Sequence, residues 1–291
     1  GQHEIRCSYV GYKTLIETID LSANQNHDII LQNEAQLDEV VVTTDLNSPL
    51  LKTQTGKLSL SQKDIKTEYA LMSSPDVIKT LQRTSGVADG MELASGLYVH
   101  GGNGDENLFL LDGTPLYHTN HSLGLFSSFN ADVVKNVDFY KSGFPARYGG
   151  RLSSVIDVRT ADGDLYKTHG SYRIGLLDGA FHIGGPIRKG KTSYNFGLRR
   201  SWMDLLTRPA FAIMNHKSDN EDKLSMSYFF HDLNFKLTNI FNERSRMSLS
   251  VYSGEDRLDA KDEWHSNNSS GYNDVDIYVN RFHWGNFNVA L

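Results

Sequence analysis

His118 and His121 stand three residues apart in a polar stretch that also holds Tyr117 and Asn120. Imidazole, phenol and carboxamide groups so clustered suit a polar solute such as a glycan or a metal chelate. A metal site proper needs a third ligand and a supporting outer shell, and the neighbours supply neither clearly, so no metal is expected. A second polar loop, His100–Glu106, sets Asn103 among Gly101, Gly102 and Gly104. Those glycines make no phosphate-binding fingerprint, because no helix start follows them. Arg147, Arg151 and Arg159 form a third group. A guanidinium fork matches a carboxylate with two parallel hydrogen bonds, so these residues either pair with acids elsewhere in the fold or are solvated at its surface. Asp112 stands in an Asp-Gly-Thr-Pro turn and reads as a turn former. No Ser/His/Asp order in a nucleophile-elbow context is present. The expected chemistry is therefore binding, with neither a catalytic residue nor a cofactor.

Composition narrows the class. The chain has 291 residues and a formal charge of −6, which argues against a nucleic-acid partner. The compact basic run Arg188, Lys189 and Lys191 sits in a turn and reads as solvated. No apolar run approaches the roughly 20 residues of a membrane-crossing helix. That excludes a helical span and leaves a β-barrel open, whose strands alternate and give a weak hydropathy signal. Cys7 is the sole cysteine, so no intrachain disulfide forms. It opens a β-like run to Tyr12, where a half-buried thiol is expected.

The elements that must position these groups follow from pattern. In residues 1–33, Tyr9–Tyr12 and Asp28–Leu31 read as strands, too little to bury a core of their own. Leu37, Asp38, Glu39, Val40, Val41, Val42 and Thr43 form a strongly extended segment, either a docking strand or an ordinary linker. Ser74-Pro75-Asp76 opens a helix, with Ser74 as N-cap, Val77, Ile78 and Leu81 as its apolar face and Gly86 as its C′ residue. Strands are expected at Leu97–Val99, Asn107–Leu111, Val137–Tyr140 and Val155–Val158, and a short helix after Asn130. This mixture predicts an α+β domain.

After Thr160 the pattern changes to period two. Tyr194, Phe196 and Leu198 alternate with Asn195, Gly197 and Arg199. Leu233, Phe235 and Leu237 alternate with Asn234, Lys236 and Thr238, and Met247, Leu249 and Val251 with Ser248 and Ser250. Such alternation marks a sheet with two unlike faces. Connections near Gly185–Lys191 and Phe241–Ser245 read as short. Those near Ser201–Ser225 and Gly254–Asp274 read as long and polar. Leu177-Asp178-Gly179-Ala180 reads as a tight hairpin turn. About six strands are expected.

Leu108–Tyr117 (L-F-L-L-D-G-T-P-L-Y), Val133–Gly150 (V-V-K-N-V-D-F-Y-K-S-G-F-P-A-R-Y-G-G) and Val155–Thr160 (V-I-D-V-R-T) together resemble the second half of the plug domain of a TonB-dependent outer-membrane receptor. The resemblance implies a mainly β fold. Residues 1–33 would be the end of a carboxypeptidase-regulatory-like β-sandwich, as in Bacteroidetes receptors, and 34–54 the TonB-box region and linker. Residues 55–162 would be the α+β plug, and 163–291 the first strands of a transmembrane antiparallel β-barrel of about 22 strands when complete. Six strands cannot close such a barrel, so a fragment cut at both ends is expected, with any secretory leader upstream. The resemblance further implies an outer-membrane site in a Gram-negative bacterium and contact with outer-membrane lipid. Leu37–Thr43 would add as a strand to the periplasmic TonB protein. The loops bearing Asn103 and Tyr117–Ser122 would face the extracellular vestibule and a nutrient ligand. Arg147, Arg151 and Arg159 would meet acids on the barrel wall. A SusD-like surface lipoprotein stays open as a further partner, since His100 stands where receptors with that partner usually carry arginine. The implied function is energised nutrient import. The alternative is a non-transporting adhesion or assembly component that keeps the receptor fold.

Overall fold

The computed structural model describes residues 2–7, 14–20, 22–23, 27–31, 56–68, 70–71, 74–88, 96–217, 222–267 and 273–291. The chain divides into two compact units, Gly1–Thr53 and Gln54–Leu291. In the first, β1 (Gln2–Cys7) and β2 (Leu15–Asp20) form an antiparallel hairpin with Cys7 opposite Leu15. Cys7 is free and half-buried. The strand expected at Asp28–Leu31 is not formed: these residues carry no regular structure, and Ile30 is exposed. Tyr9–Tyr12 and Leu37–Thr43 lie outside the described residues.

The second unit begins with β3 (Lys57–Ser61) and α1 (Gln62–Glu68). Two short pairs flank the next helix, α2 (Val77–Gln82): β4 (Ala70–Leu71) with β5 (Ser74–Pro75), and β6 (Val87–Ala88) with β7 (Tyr98–Val99). Next come β8 (Asn107–Leu111), β9 (Thr114–Pro115) and the paired β10 (Asn120–His121) and β11 (Phe126–Ser127). With β12 (Val134–Tyr140) and β13 (Ser154–Thr160) they complete a five-stranded sheet in the order β3-β12-β13-β8-β9. Only β8 and β13 run parallel among its neighbours.

The cap of α2 differs from the sequence reading. Asp76 holds extended backbone and accepts the Lys79 N–H at 3.0 Å, so it is the N-cap. A carboxylate there satisfies an orphan donor and meets the helix's positive end. Ser74 lies in β5 and bonds outward to Asp178. The helix ends at Gln82 with Arg83 as its C-cap, so Gly86, although its φ is 80°, lies beyond the C′ position expected of it. The helix expected after Asn130 is a turn, because Asn130 Oδ1 takes the Asp132 N–H at 3.0 Å and Val133 N–H returns to the Asn130 carbonyl. Val77, Ile78 and Leu81 bury fully against Val137, Phe139, Ile156 and Val158. Each such side chain contributes about 1.5–3 kcal/mol.

A six-stranded antiparallel wall follows in chain order: β14 (His169–Ile174), β15 (Asp178–Arg188), β16 (Thr192–Ser201), β17 (Lys223–Asn242), β18 (Ser245–Asn267) and β19 (Asn273–Ala290). The sheet is open, with β14 and β19 at its edges. Along β17, Asp232, Asn234, Lys236 and Thr238 are buried toward the α+β domain, while Leu233, Phe235 and Leu237 take the other face.

Short turns at residues 189–191 and 243–244 occupy one end of the wall, as expected. The opposite end differs from the sequence reading in three places. Residues 201–225 hold a helix, α3 (Met203–Lys217), rather than a plain loop. Most of Gly254–Asp274 is strand, because β18 and β19 stay paired from Gly254 opposite Asn286 out to Asn267 opposite Asn273. The first hairpin turns at residues 175–177, and Asp178-Gly179 already lies in β15. Gly179 is there because the Trp202 ring would stand 2.5 Å from a Cβ. Among the described residues no helix is long and apolar enough to cross a membrane.

Candidate functional site

The α+β domain meets the wall through a buried polar seam. Period-two geometry places Arg199 of β16, Tyr228 and Asp232 of β17, and Tyr252 and Asp256 of β18 on the inward face. The β10–β11 hairpin delivers His121 and Ser127 to them. His121 Nδ1 lies 2.6 Å from Asp256 Oδ2, and its Nε2 2.9 Å from Asp232 Oδ1. Arg199 donates from Nε and Nη2 to Asp232 Oδ2 at 2.8 and 2.6 Å, and from Nη2 to the Ser127 carbonyl. Tyr252 donates to Asp232 at 2.7 Å, and Tyr228 to Asp256. Phe230 stacks parallel to the His121 ring at 4.4 Å and lies 5.2 Å beneath Arg199. His121 is 1% exposed. Burial alone would lower its pKa, but Asp232 and Asp256 outweigh that and raise it to about 9.

A second joint centres on Asp112. Its carboxylate accepts Thr160 N–H (3.0 Å), the Thr160 hydroxyl and Ser250 Oγ (2.6 Å), while Lys236 Nζ reaches it at 3.2 Å. Lys236 also donates to the Thr160 carbonyl at 2.9 Å and lies 3.4 Å from Asp162. Burial pushes the Asp162 carboxyl up, but Lys236, Lys135 and Arg246 together hold it below its ordinary range. Asp112 has φ of 48°, a left-handed conformation that Asp tolerates better than most residues. It is a turn former, as expected, and also ties the two layers. A cleft of about 520 Å³ opens beside it, between Lys135, Arg159 and Arg246. A third joint links Arg173 of β14 to Ser74 Oγ (2.6 Å), Asp178 (3.3 Å) and Asp132 (3.6 Å).

The structure divides the residues singled out from sequence. Tyr117 is 81% exposed. His118 is taken up by the wall: its N–H donates to Asn286 Oδ1, its carbonyl accepts from Asn286 Nδ2, and its Nε2 accepts the Trp284 indole N–H at 2.8 Å. Asn120 pairs with Ser127 across the hairpin. His118 and His121 share no chelating point, because both nitrogens of His121 face carboxylates. Asn103 caps a short turn with Glu106. Its loop and the Tyr117 loop do converge: Gly104, Asp105, Tyr117, Thr119 and Arg151 line one cleft of about 330 Å³.

Among the described residues the three arginines show no hydrogen bond or ion pair to the wall. Arg147 donates to Tyr148 at 2.8 Å, Arg151 to the Gly150 carbonyl at 2.8 Å and Arg159 to Asp157 at 3.1 Å. Asp157, next along β13, takes Tyr148 as well and so keeps this group inside the domain. The arginine and lysine cations of the seam come from the wall instead, as Arg173, Arg199 and Lys236. Their signal in the sequence was a charge on the polar phase of a strand whose other phase is apolar.

Residues 50–155 match the TonB-dependent receptor plug domain. No curated protein sequence matches the chain. Among solved structures, it is similar to the siderophore receptor PirA from Pseudomonas aeruginosa (14% identity, 82% of this chain and 42% of that one, TM-score 0.47). It is also similar to the ferric enterobactin receptor PfeA from Pseudomonas aeruginosa (17%, 72% and 34%, TM-score 0.47). A third is the outer membrane transporter YddB from Escherichia coli (11%, 74% and 37%, TM-score 0.46). The chain spans less than half the length of each. Over residues 50–155 the chain is similar to a TonB-dependent receptor plug domain, and this domain, the plug, is seated on the polar face of an open, six-stranded antiparallel β-wall.

Proposed function

We propose that this chain is part of an outer-membrane transporter of a Gram-negative bacterium that imports a nutrient, gated by the plug and energised through TonB. The observation that carries this is the two-faced wall. Its inward phase is polar and grips the plug (Asn195, Arg199, Asp232, Lys236), while its outward phase is apolar (Tyr194, Phe196, Leu233, Phe235). Lipid on one side and a wet, plugged lumen on the other account for that alternation.

In this reading Leu37–Thr43 is the strand offered to TonB in the periplasm, and residues 1–33 are the end of a carboxypeptidase-regulatory-like sandwich, as in Bacteroidetes receptors. The boundaries at 34–54, 55–162 and 163–291 separate linker, plug and barrel. The cleft shared by the Asn103 and Tyr117 loops faces the vestibule and contributes to holding a glycan, peptide or metal chelate. Arg147, Arg151 and Arg159 would turn to barrel strands beyond these six. His100, standing where receptors with a SusD-like lid usually carry arginine, leaves that partner open.

The test uses the intact protein and the purified periplasmic domain of its host's TonB. Strand addition depends on main-chain hydrogen bonds, and proline removes a donor. Val41→Pro should abolish TonB binding and leave membrane insertion unchanged. Equal binding by the variant would overturn the assignment of this segment. No binding by either protein would favour a non-transporting outer-membrane component.

A further inference from the structure

A histidine ring presents two N–H donors only as the imidazolium; the neutral ring has one N–H and one bare lone pair. His121 has a carboxylate oxygen against each ring nitrogen, at 2.6 and 2.9 Å. A neutral ring would set a lone pair against one of those oxygens inside a site where His121, Asp232 and Asp256 have 1%, 0% and 0% of their side chains exposed. We propose that His121 is a cationic latch: an imidazolium on the plug gripped by two wall carboxylates, fastening the β10–β11 hairpin to the wall while it holds its proton and releasing it when the proton leaves.

Every charged or titratable neighbour fits that role. From β16, Arg199 occupies the second oxygen of Asp232. From β17, Tyr228 donates to Asp256 and to no ring nitrogen. From β18, Tyr252 donates to Asp232. On the same loop, His118 Nε2 lies 3.6 Å from Asp256 and accepts from Trp284. Around the ring two carboxylates thus face two cations, Asp76 and Asp178 being further buried acids that act on Arg199, and loss of the His121 proton leaves a buried negative charge uncompensated. Phe230 seals the ring's face and keeps water from filling the gap. The carboxylates hold the imidazolium to about pH 9, so the latch stays closed through acid and neutral conditions and yields to alkali or to force. Its part in gating rests on the transport reading; its charge and its grip do not.

The experiment is a pH titration of the intact protein in detergent micelles, with ¹⁵N-labelled histidine and hydrogen exchange of residues 117–130 followed together. His121→Asn assigns the signal. One imidazole should keep both N–H groups past pH 8 and titrate near 9, with exchange in the hairpin rising at least tenfold over the same interval after correction for intrinsic rates. Asp256→Asn should move that midpoint down by a unit or more. An imidazole at this site that titrates below pH 7, or hairpin protection that ignores its titration, would overturn the proposal. Neither readout involves TonB or a solute, so failure here leaves the transport reading standing, and loss of transport leaves the latch standing.

Discussion

Replacing Arg199 by methionine should loosen the plug about as much as truncating a large side chain in its apolar core. The guanidinium is 1% exposed and makes two hydrogen bonds to Asp232 and one to the Ser127 carbonyl of the plug. Methionine preserves much of the length and the contact with Phe230, yet leaves Asp232 with one cationic partner in place of two. Removing one member of a buried pair typically costs about 3–5 kcal/mol. His121 still faces Asp232, which places the expected loss near the lower end, about 3 kcal/mol. Asp232→Asn alone should cost a similar amount by stranding Arg199. The double variant removes both charges and should lose less than the sum of the single losses by roughly 1–3 kcal/mol. The assay is denaturant unfolding of the intact protein in detergent, with hydrogen exchange in β10, β11 and β13 reporting the plug. Additivity within about 0.5 kcal/mol would refute the claim that these residues act as one ion-paired joint.

Further outcomes follow from the same geometry. His121 is raised in the fold, so its contribution is complete below its ordinary value of 6.5 and is lost as pH climbs through about 9. The wild-type advantage over His121→Asn should be of order 3 kcal/mol at pH 6 and vanish by pH 10, as read by paired denaturation curves. Gly197 faces the plug with Val133 Cγ1 only 2.3 Å from where a Cβ would stand. Gly197→Ala should cost about 1–3 kcal/mol, and Val133→Ala should recover most of it in the same assay. Tyr117→Ala should leave stability within about 0.5 kcal/mol, since the ring is exposed, while weakening solute binding measured by calorimetry once a solute is in hand.

Much of the fold was legible because period-two patterning survives in single residues. Leu233, Phe235 and Leu237 fell on one face and Asn234, Lys236 and Thr238 on the other, as read. The strands at Asn107–Leu111 and Val137–Tyr140 stood out because they are short apolar runs between turn residues. Lengths were less legible. Nothing local in Gly254–Asn267 distinguishes a polar loop from a long hairpin, since polar and charged residues fall on both phases there and the alternation disappears. Helix α3 was hidden by Pro209 within its span. The seam was half visible. His121 stood out as a histidine, but its partners Asp232 and Asp256 lie 111 and 135 residues away, and no spacing rule joins them. Arg147, Arg151 and Arg159 drew attention by clustering, while Arg199 and Lys236, each on the polar phase of its own strand, reach across to the plug.

The central claim is that the plug sits on the wet face of a wall whose other face meets lipid. A carbene-generating photolabel dissolved in the bilayer, applied to the intact protein in outer-membrane vesicles and mapped by mass spectrometry, tests it most directly. The account predicts label on Tyr194, Phe196, Leu198, Leu233, Phe235, Leu237, Leu249 and Val251, and none on Asn195, Arg199, Asn234, Lys236 or Thr238. Label on neither set, or equally on both, would contradict it.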